Sequence, residues 1–332
     1  MKSNYLGLLD NKYIIKKIIG AGTSSTVYQI IDSQSGKEYA AKVFKHFDNS
    51  IKKEVEFNEI IANMNNNLFI KYIASSKGPL VQNEYRFFKS YIIFELASKG
   101  GLHKYLGKKY SGLKEKYCKF IFFKILKGIQ SLHNSGICHR DIKINNILLD
   151  GEKYNIKISD FGLSSFISRN QSQQYGKVGT KYYAAPEVIM NLPYDGIKAD
   201  IFSLGVVLFN LRTSNFGFYE AKIKNNNFVN YVKCRNKTLY EYIKDKNICT
   251  YWEKLGSMIS IDELSHEFKN LYIKMVSFNP SARPTIEEIL NDVWMKEIQN
   301  LSEQQMESLK KEIINELKKR EETEKNEEMN HD

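Results

Sequence analysis

Five short stretches of this 332-residue chain carry residue types suited to handling phosphate groups, and they follow one another in a fixed order. Gly20-Ala21-Gly22-Thr23-Ser24-Ser25-Thr26-Val27 lies between two strand-like runs, where small residues let backbone N–H groups approach a phosphate. Alone, such a glycine pair is weak evidence and more often marks a plain hairpin than a phosphate loop. It leads into a strand and not a helix, which argues against a dinucleotide fold. Lys42 follows twenty residues after Gly22 inside the apolar Ala40-Ala41-Lys42, where an ammonium is costly to bury unless an anion meets it. His139-Arg140-Asp141-Ile142-Lys143-Ile144-Asn145-Asn146 packs an acid, cations and an amide into one loop ahead of Ile147-Leu148-Leu149. Asp160-Phe161-Gly162 comes nineteen residues after Asp141, behind Ile156-Lys157-Ile158, and Ala185-Pro186-Glu187 closes a loop of Ser, Gln and Gly. One such match is common by chance; the ordered set is not.

The elements that must hold these residues change character along the chain. Residues 13–19 and 27–31 flank the glycine stretch as a hairpin, Asp32-Ser33-Gln34-Ser35-Gly36 is a turn, and 38–44 is a β-branched and aromatic strand. Apolar residues at 57, 60, 61 and 64 give residues 51–64 helical spacing. Residues 91–96 form an apolar strand ending at Ala97-Ser98-Lys99-Gly100-Gly101. Beyond it the periodicity is helical: 115–134, 198–211, 265–276, and a helix from Thr285 behind Pro284. Residues 299–332 are mostly polar, with Leu301, Leu309, Ile313 and Leu317 far apart. They read as a solvated helix fraying into a disordered end, with a docking helix as the alternative.

Composition narrows the class. A chain with 42% hydrophobic residues, among them 19 Phe and 21 Tyr, can bury a large core. No apolar run approaches the ~20 residues of a membrane-spanning helix, and Met1-Lys2-Ser3 begins neither a secretory h-region nor a myristoylation site. Cys118, Cys138, Cys234 and Cys249 form no CxxC or His-containing metal spacing and read as reduced thiols of a cytoplasmic or nuclear protein. Net charge is +11, yet residues 301–332 hold ten acids against six Lys and Arg, so the basicity lies in residues 1–300. That balance suits acidic or phosphate-bearing partners, although a Lys- and Asn-rich composition alone produces it equally well. No nucleic-acid or membrane partner is expected, and a monomer is.

Over residues 13–298 the motif set resembles the protein kinase superfamily, in its Ser/Thr branch. The resemblance implies an α+β, bilobal fold with a small β-rich lobe at 13–96 and a larger helical lobe at 97–298. Residues 1–12 would be an extension and 299–332 a charged tail. It implies ATP and Mg²⁺ as cofactors and proteins as substrates. Ile19, Gly20, Ala21, Gly22, Val27, Ala40, Glu95 and Ala97 would surround the nucleotide, with Phe94 as gatekeeper and Lys42 on the α- and β-phosphates. Asp141 would be the catalytic base and Lys143 would steady the γ-phosphate, while Asn146 and Asp160 hold the metal. Asp200 would anchor the Asp141 loop, and Glu187 would pair with Arg283. Lys143 together with Thr180 resembles Ser/Thr and not Tyr kinases, and the helical-lobe wording resembles the calmodulin-dependent/Snf1-like branch. No EF-hand loop is present, so no calcium sensing by this chain is expected.

Several positions depart from the family pattern. The helix glutamate that pairs with Lys42 falls on Phe57 in an ungapped reading. Glu54 fits if the following Asn-rich loop is about three residues longer, and Glu56 fits a one-residue insertion; Glu54 is the residue chosen. Gly176 stands where many kinases carry an activating Thr, leaving independence from phosphorylation there, or use of Tyr175 or Ser172. Gly101 and Asn145 replace acids that select upstream basic residues, so no strong requirement for upstream Arg is expected. Ile144 and Ser25 replace Pro and Gly, and residues 213–260 lengthen a segment associated with docking. A non-catalytic scaffold on the same fold would have lost Lys42, Asp141 or Asp160, and all three are present.

Overall fold

The computed structural model describes residues 6–46, 49–82, 85–106, 112–167, 173–217, 221–224, 229–232, 251–253, 255 and 264–328. The chain divides into two compact units: Met1–Gly100 with Leu148–Gly162, and Gly101–Ile147 with Leu163–Asp332.

In the first unit, β1 (Gly7–Leu9), β2 (Tyr13–Ala21), β3 (Ser25–Asp32), β4 (Glu38–Phe44), β5 (Tyr72–Gln82) and β6 (Tyr85–Glu95) close into a barrel in the order β1-β2-β3-β4-β6-β5. Strand alternation sorts the side chains: Tyr13, Ile15, Tyr28, Ile30, Ala41, Val43, Tyr91 and Ile93 form the barrel core with Leu9 and Leu80. Ala40 and Lys42 therefore point to the opposite face from Ala41 and Val43. Residues 1–12, expected as an extension, supply a barrel strand: Gly7–Leu9 pairs with both β2 and β5, and Leu9 is fully buried. This pairing closes the barrel and leaves no open β5 edge there.

The segment 148–162, expected within the helical lobe, packs in this first unit. Ile158 exchanges backbone hydrogen bonds with Leu68 and Ile70, Lys157 pairs with Glu95 at 2.7 Å, and Phe161 meets Phe69 edge-on at 5.7 Å. Helix α1 (Asn49–Asn63) buries Ile51, Glu54, Phe57, Asn58 and Ile61, one stripe at helical spacing.

The second unit is helical. Its centre is α2 (Glu115–Asn134) and α3 (Gly196–Thr213); α3 is buried almost throughout, from Ala199 to Thr213. Asp195 caps α3 through the N–H groups of Ile197 and Lys198. Around them lie α4 (His266–Met275), α5 (Ile286–Leu290), which starts with a Thr285/Glu288 capping box, and α6 (Val293–Gln299). Trp294 is an anchor that periodicity does not reveal: it packs edge-on against Phe122 and Phe268 and donates its indole N–H to Glu115 at 2.8 Å.

The tail differs from a solvated helix. Residues Glu303–Glu328 form α7, whose Leu309, Ile313, Leu317 and Arg320 are buried. Their spacing of four, four and three is a helical stripe, thin enough to pass for sparse. Glu312 bonds Lys116 and the Tyr117 hydroxyl on α2, and Arg320 donates to the carbonyls of Tyr105 and Gly112. Of residues 213–260, strands 221–224 and 229–232 pair antiparallel, and most of the rest lies outside the described residues.

Candidate active site

The first unit places Lys42 by strand register. Gly20 pairs with Val27, Val27 with Lys42, and Lys42 with Ile92, so the glycine hairpin and the lysine share one row of the sheet. Ala40 sits two residues away opposite Phe94. The hairpin turn is tight: the Gly22 N–H donates to Ser25 O at 2.9 Å, and Lys45 Nζ donates to Gly22 O at 2.7 Å. Glu95 donates its N–H to Lys71 O and accepts from the Lys71 N–H and Lys157 Nζ, while Ala97 O accepts from the Gly100 N–H.

Lys42 Nζ donates to Glu54 Oε1 at 2.6 Å and to Asp160 Oδ1 at 2.9 Å. Burial alone would push the ammonium pKa down; the Asp160 and Glu54 carboxylates outweigh it, so the pKa of Lys42 is raised and the group stays charged. For Glu54, burial pushes the carboxyl up, and Asp160 pushes the same way against the pull of Lys42. Two acids thus share one cation, and burial makes Glu54 less readily ionised than an ordinary carboxyl. Of the three positions left open for the helix partner, Phe57 is an apolar core residue and Glu56 is exposed; Glu54 meets the lysine. Asp160 holds a left-handed backbone, φ +69°, which a non-glycine residue adopts only when its surroundings fix it.

The second unit holds Asp141. Its loop is hung from Asp200 on α3, a fully buried carboxylate that accepts the N–H groups of His139 and Arg140, each at 2.8 Å, and faces His133 Nε2 at 2.9 Å. Arg140 is left-handed at φ +66°, held there by that anchor. The Asp141 carboxylate, 6% exposed, accepts from Lys143 Nζ at 2.5 Å and from the Thr180 hydroxyl at 2.8 Å. Lys143 also donates to Thr180 Oγ1 at 2.9 Å, so the three groups form a closed triangle. Asn146 turns its Nδ2 back to Asp141 O at 2.9 Å, which commits the donor end of its amide to the loop. Gly179, at φ +88°, passes so close that a Cβ would lie 2.6 Å from Arg140 O.

Sequence comparison decides the family: the protein kinase domain model matches residues 13–295. The chain belongs to the protein kinase domain family. Among curated relatives, CBL-interacting protein kinase 24 of Oryza sativa subsp. japonica is 29% identical over 293 residues, covering 86% of this chain and 56% of the relative. CBL-interacting serine/threonine-protein kinase 26 of Arabidopsis thaliana is 30% identical over 295 residues, covering 86% and 59%. A probable cell cycle serine/threonine-protein kinase CDC5 homolog of Encephalitozoon cuniculi is 30% identical over 286 residues, covering 84% and 54%. The chain spans about half the length of these relatives.

Within this kinase domain Arg283 and Glu187 form a bidentate pair at 2.6 and 2.8 Å, both buried, with Arg283 also donating to the carbonyls of Ser277 and Lys198. This pair fixes the end of the segment that begins at Asp160. Tyr175 is 64% exposed, Gly176 is left-handed at φ +96°, and Ser172 lies outside the described residues. Cys118 and Cys138 are buried thiols that burial pushes up to about 12, so neither acts as a nucleophile. The kinase-domain residues that motif reading leaves out are Gln174 and Tyr194, which hold Arg140; neither belongs to a recognisable motif, and only the fold brings them together.

Proposed function

We propose that this kinase domain transfers the γ-phosphate of ATP to serine and threonine hydroxyls of protein substrates, with Asp141 as the base that accepts the hydroxyl proton. The observation that carries the reading is the triangle of Asp141, Lys143 and Thr180. A buried carboxylate oriented by an ammonium at 2.5 Å and a hydroxyl at 2.8 Å has its direction set before substrate arrives. Lys143, already beside the base, is the cation that steadies the transferred group.

Lys42 holds the α- and β-phosphates, and Glu54 keeps its ammonium oriented. Gly20, Ala21 and Gly22 cover the phosphates, while Ile19, Val27 and Ala40 flank adenine and the backbone at Glu95 and Ala97 receives its edge. Among the described residues no cluster of three or more His, Cys, Asp or Glu is arranged to hold a metal by itself. That fits Mg²⁺, which takes one or two carboxylates and completes its shell with water and substrate phosphate oxygens. Asp160 offers a partly exposed carboxylate, 39% accessible, and Asn146 an amide oxygen. When bound, the ion neutralises charge on the phosphate oxygens. Acidic protein partners for the basic residues 1–300 belong to the same reading.

The test is transfer of labelled phosphate from ATP to a protein panel, comparing the wild type with Asp160→Asn. Label on serine or threonine with the wild type alone is expected. Equal label from both proteins removes the reading.

A further inference from the structure

Arg140 adjoins Asp141, and among the described residues every acceptor its side chain meets is uncharged. Nε donates to Leu163 O at 2.7 Å, and Nη1 donates to Gln174 Oε1 at 3.2 Å and to the Tyr194 hydroxyl at 3.3 Å. The arginine has little freedom to look elsewhere. Its own N–H is fixed on Asp200, its backbone is left-handed, and Gly179 is pressed against its carbonyl.

Gln174 uses both ends of its amide. While Oε1 receives Arg140, Nε2 donates to Phe166 O at 3.0 Å. Its backbone pairs directly with Tyr194 in a two-residue antiparallel ladder, so one strand pair presents both the amide and the phenol to the same guanidinium. Gly196 lies beneath it, where even a Cβ would touch Gln174 Cγ at 3.4 Å. One neutral side chain thereby joins the Asp141 loop to Phe166, just beyond Gly162, and to the stretch leading to Gly179 and Thr180. Thr180 in turn donates to Asp141.

We infer that Gln174 is a positioning residue: its amide holds the Asp141 loop and the 173–180 stretch together without any negative charge added to that stretch. The inference rests on the kinase reading for its consequence in turnover, but the clamp itself does not need that reading. Activity then persists with no phosphate on residues 173–180.

The test compares wild type, Gln174→Met, which keeps length and loses both hydrogen bonds, and Gln174→Glu, which keeps an acceptor for Arg140 and loses the donor to Phe166. Each is freed of phosphate, checked by mass spectrometry, and assayed for kcat and for KM of ATP. The expected order of kcat is wild type, then Gln174→Glu, then Gln174→Met, with Gln174→Met about tenfold below wild type and KM for ATP unchanged within about twofold. A structural role alone would lower the folded fraction and leave no such order. Wild-type kcat in Gln174→Met overturns the inference, as does Gln174→Glu falling to the Gln174→Met value, or a phosphate-free wild type without activity when the phosphorylated form is active. Should neither form transfer more label than Asp160→Asn, the kinase reading fails. Amide hydrogen exchange of residues 163–167 and 173–180 then decides the clamp: faster exchange in Gln174→Met supports it, and unchanged exchange removes it.

Discussion

Gly162 lies so close to Glu54 that a Cβ on the glycine would fall 2.6 Å from Glu54 Oε2. Glu54 is not free to swing away, because its other oxygen holds Lys42 at 2.6 Å. The glycine after Asp160-Phe161 is therefore what lets the buried acid keep its grip on the lysine. A side chain at position 162 would act on Lys42 through Glu54.

This relationship gives the first prediction. Glu54→Gln is expected to lower kcat/KM for ATP by about 100-fold, because Lys42 loses its orientation. It should also cost roughly 1–3 kcal/mol of stability, since one partner of a buried pair is removed while Asp160 remains. Gly162→Ala should reproduce part of the kinetic loss. Glu56→Gln and Glu59→Gln, both at exposed positions, should match wild type. Steady-state kinetics on the four variants check this, and a large loss in Glu56→Gln would move the pairing role off Glu54.

The second prediction concerns pH. Burial raises the Glu54 pKa above the ordinary carboxylate range. For a group raised on folding, the stability linked to its bound proton is present at low pH and is lost as pH rises through the folded value. Activity needs the opposite form, the charged one that orients Lys42. Lowering the pH from neutrality should therefore reduce kcat/KM for ATP at a pH above that of an ordinary carboxylate, while Glu54's contribution to the melting temperature rises over the same interval. The raised pKa of Lys42 keeps that group charged throughout. A pH–rate profile of wild type beside Glu54→Gln reads this directly: the acid limb should shrink in the variant, and an identical limb would assign it to another group.

How far the sequence reveals this arrangement varies from residue to residue. Lys42 is legible because an ammonium inside an apolar strand behind a glycine hairpin needs an anion to meet it, and residues 115–134 are legible because their apolar stripe is long. Glu54 is ambiguous because a local helix pattern does not fix its register against a strand that folding brings near; the burial of Ile51, Asn58 and Ile61 does. β5 is missed because Ser75, Ser76, Gly78 and Pro79 carry turn chemistry, which pairing with β6 overrides. β1 is too short to have a period. Gln174 carries no signal, since an amide becomes a clamp only when Arg140 and Phe166 converge on it.

A third prediction concerns the phosphoacceptor sequence. Gly101 carries no side chain, and a Cβ there would meet the His103 ring 2.4 Å away; Asn145 is exposed and uncharged. Neither position offers a carboxylate to an arginine on the substrate. A degenerate peptide library should therefore show no dominant Arg at the third position before the phosphosite. Strong Arg selection there would mean that other acids read the substrate. Introducing Gly101→Glu is not a clean gain-of-function test, because the histidine fills the space.

The fourth prediction concerns helix α7. Leu317 is 1% exposed and Ile313 4%, so this charged helix contributes core and not only solvent-facing surface. Leu317→Ala should cost roughly 2–4 kcal/mol by leaving a cavity. Arg320→Met keeps the aliphatic stem but deprives Tyr105 O and Gly112 O of their donors, at a cost of roughly 1–3 kcal/mol. The Lys116–Glu312 contact lies at the surface, with both side chains close to half exposed and screened by solvent, so Glu312→Gln should cost the least of the three. Urea unfolding separates the three, and the order Leu317, Arg320, Glu312 is the diagnostic feature. If all three variants unfold with the wild type, α7 contributes nothing to the stability of the kinase domain, and the buried stripe is not what holds it.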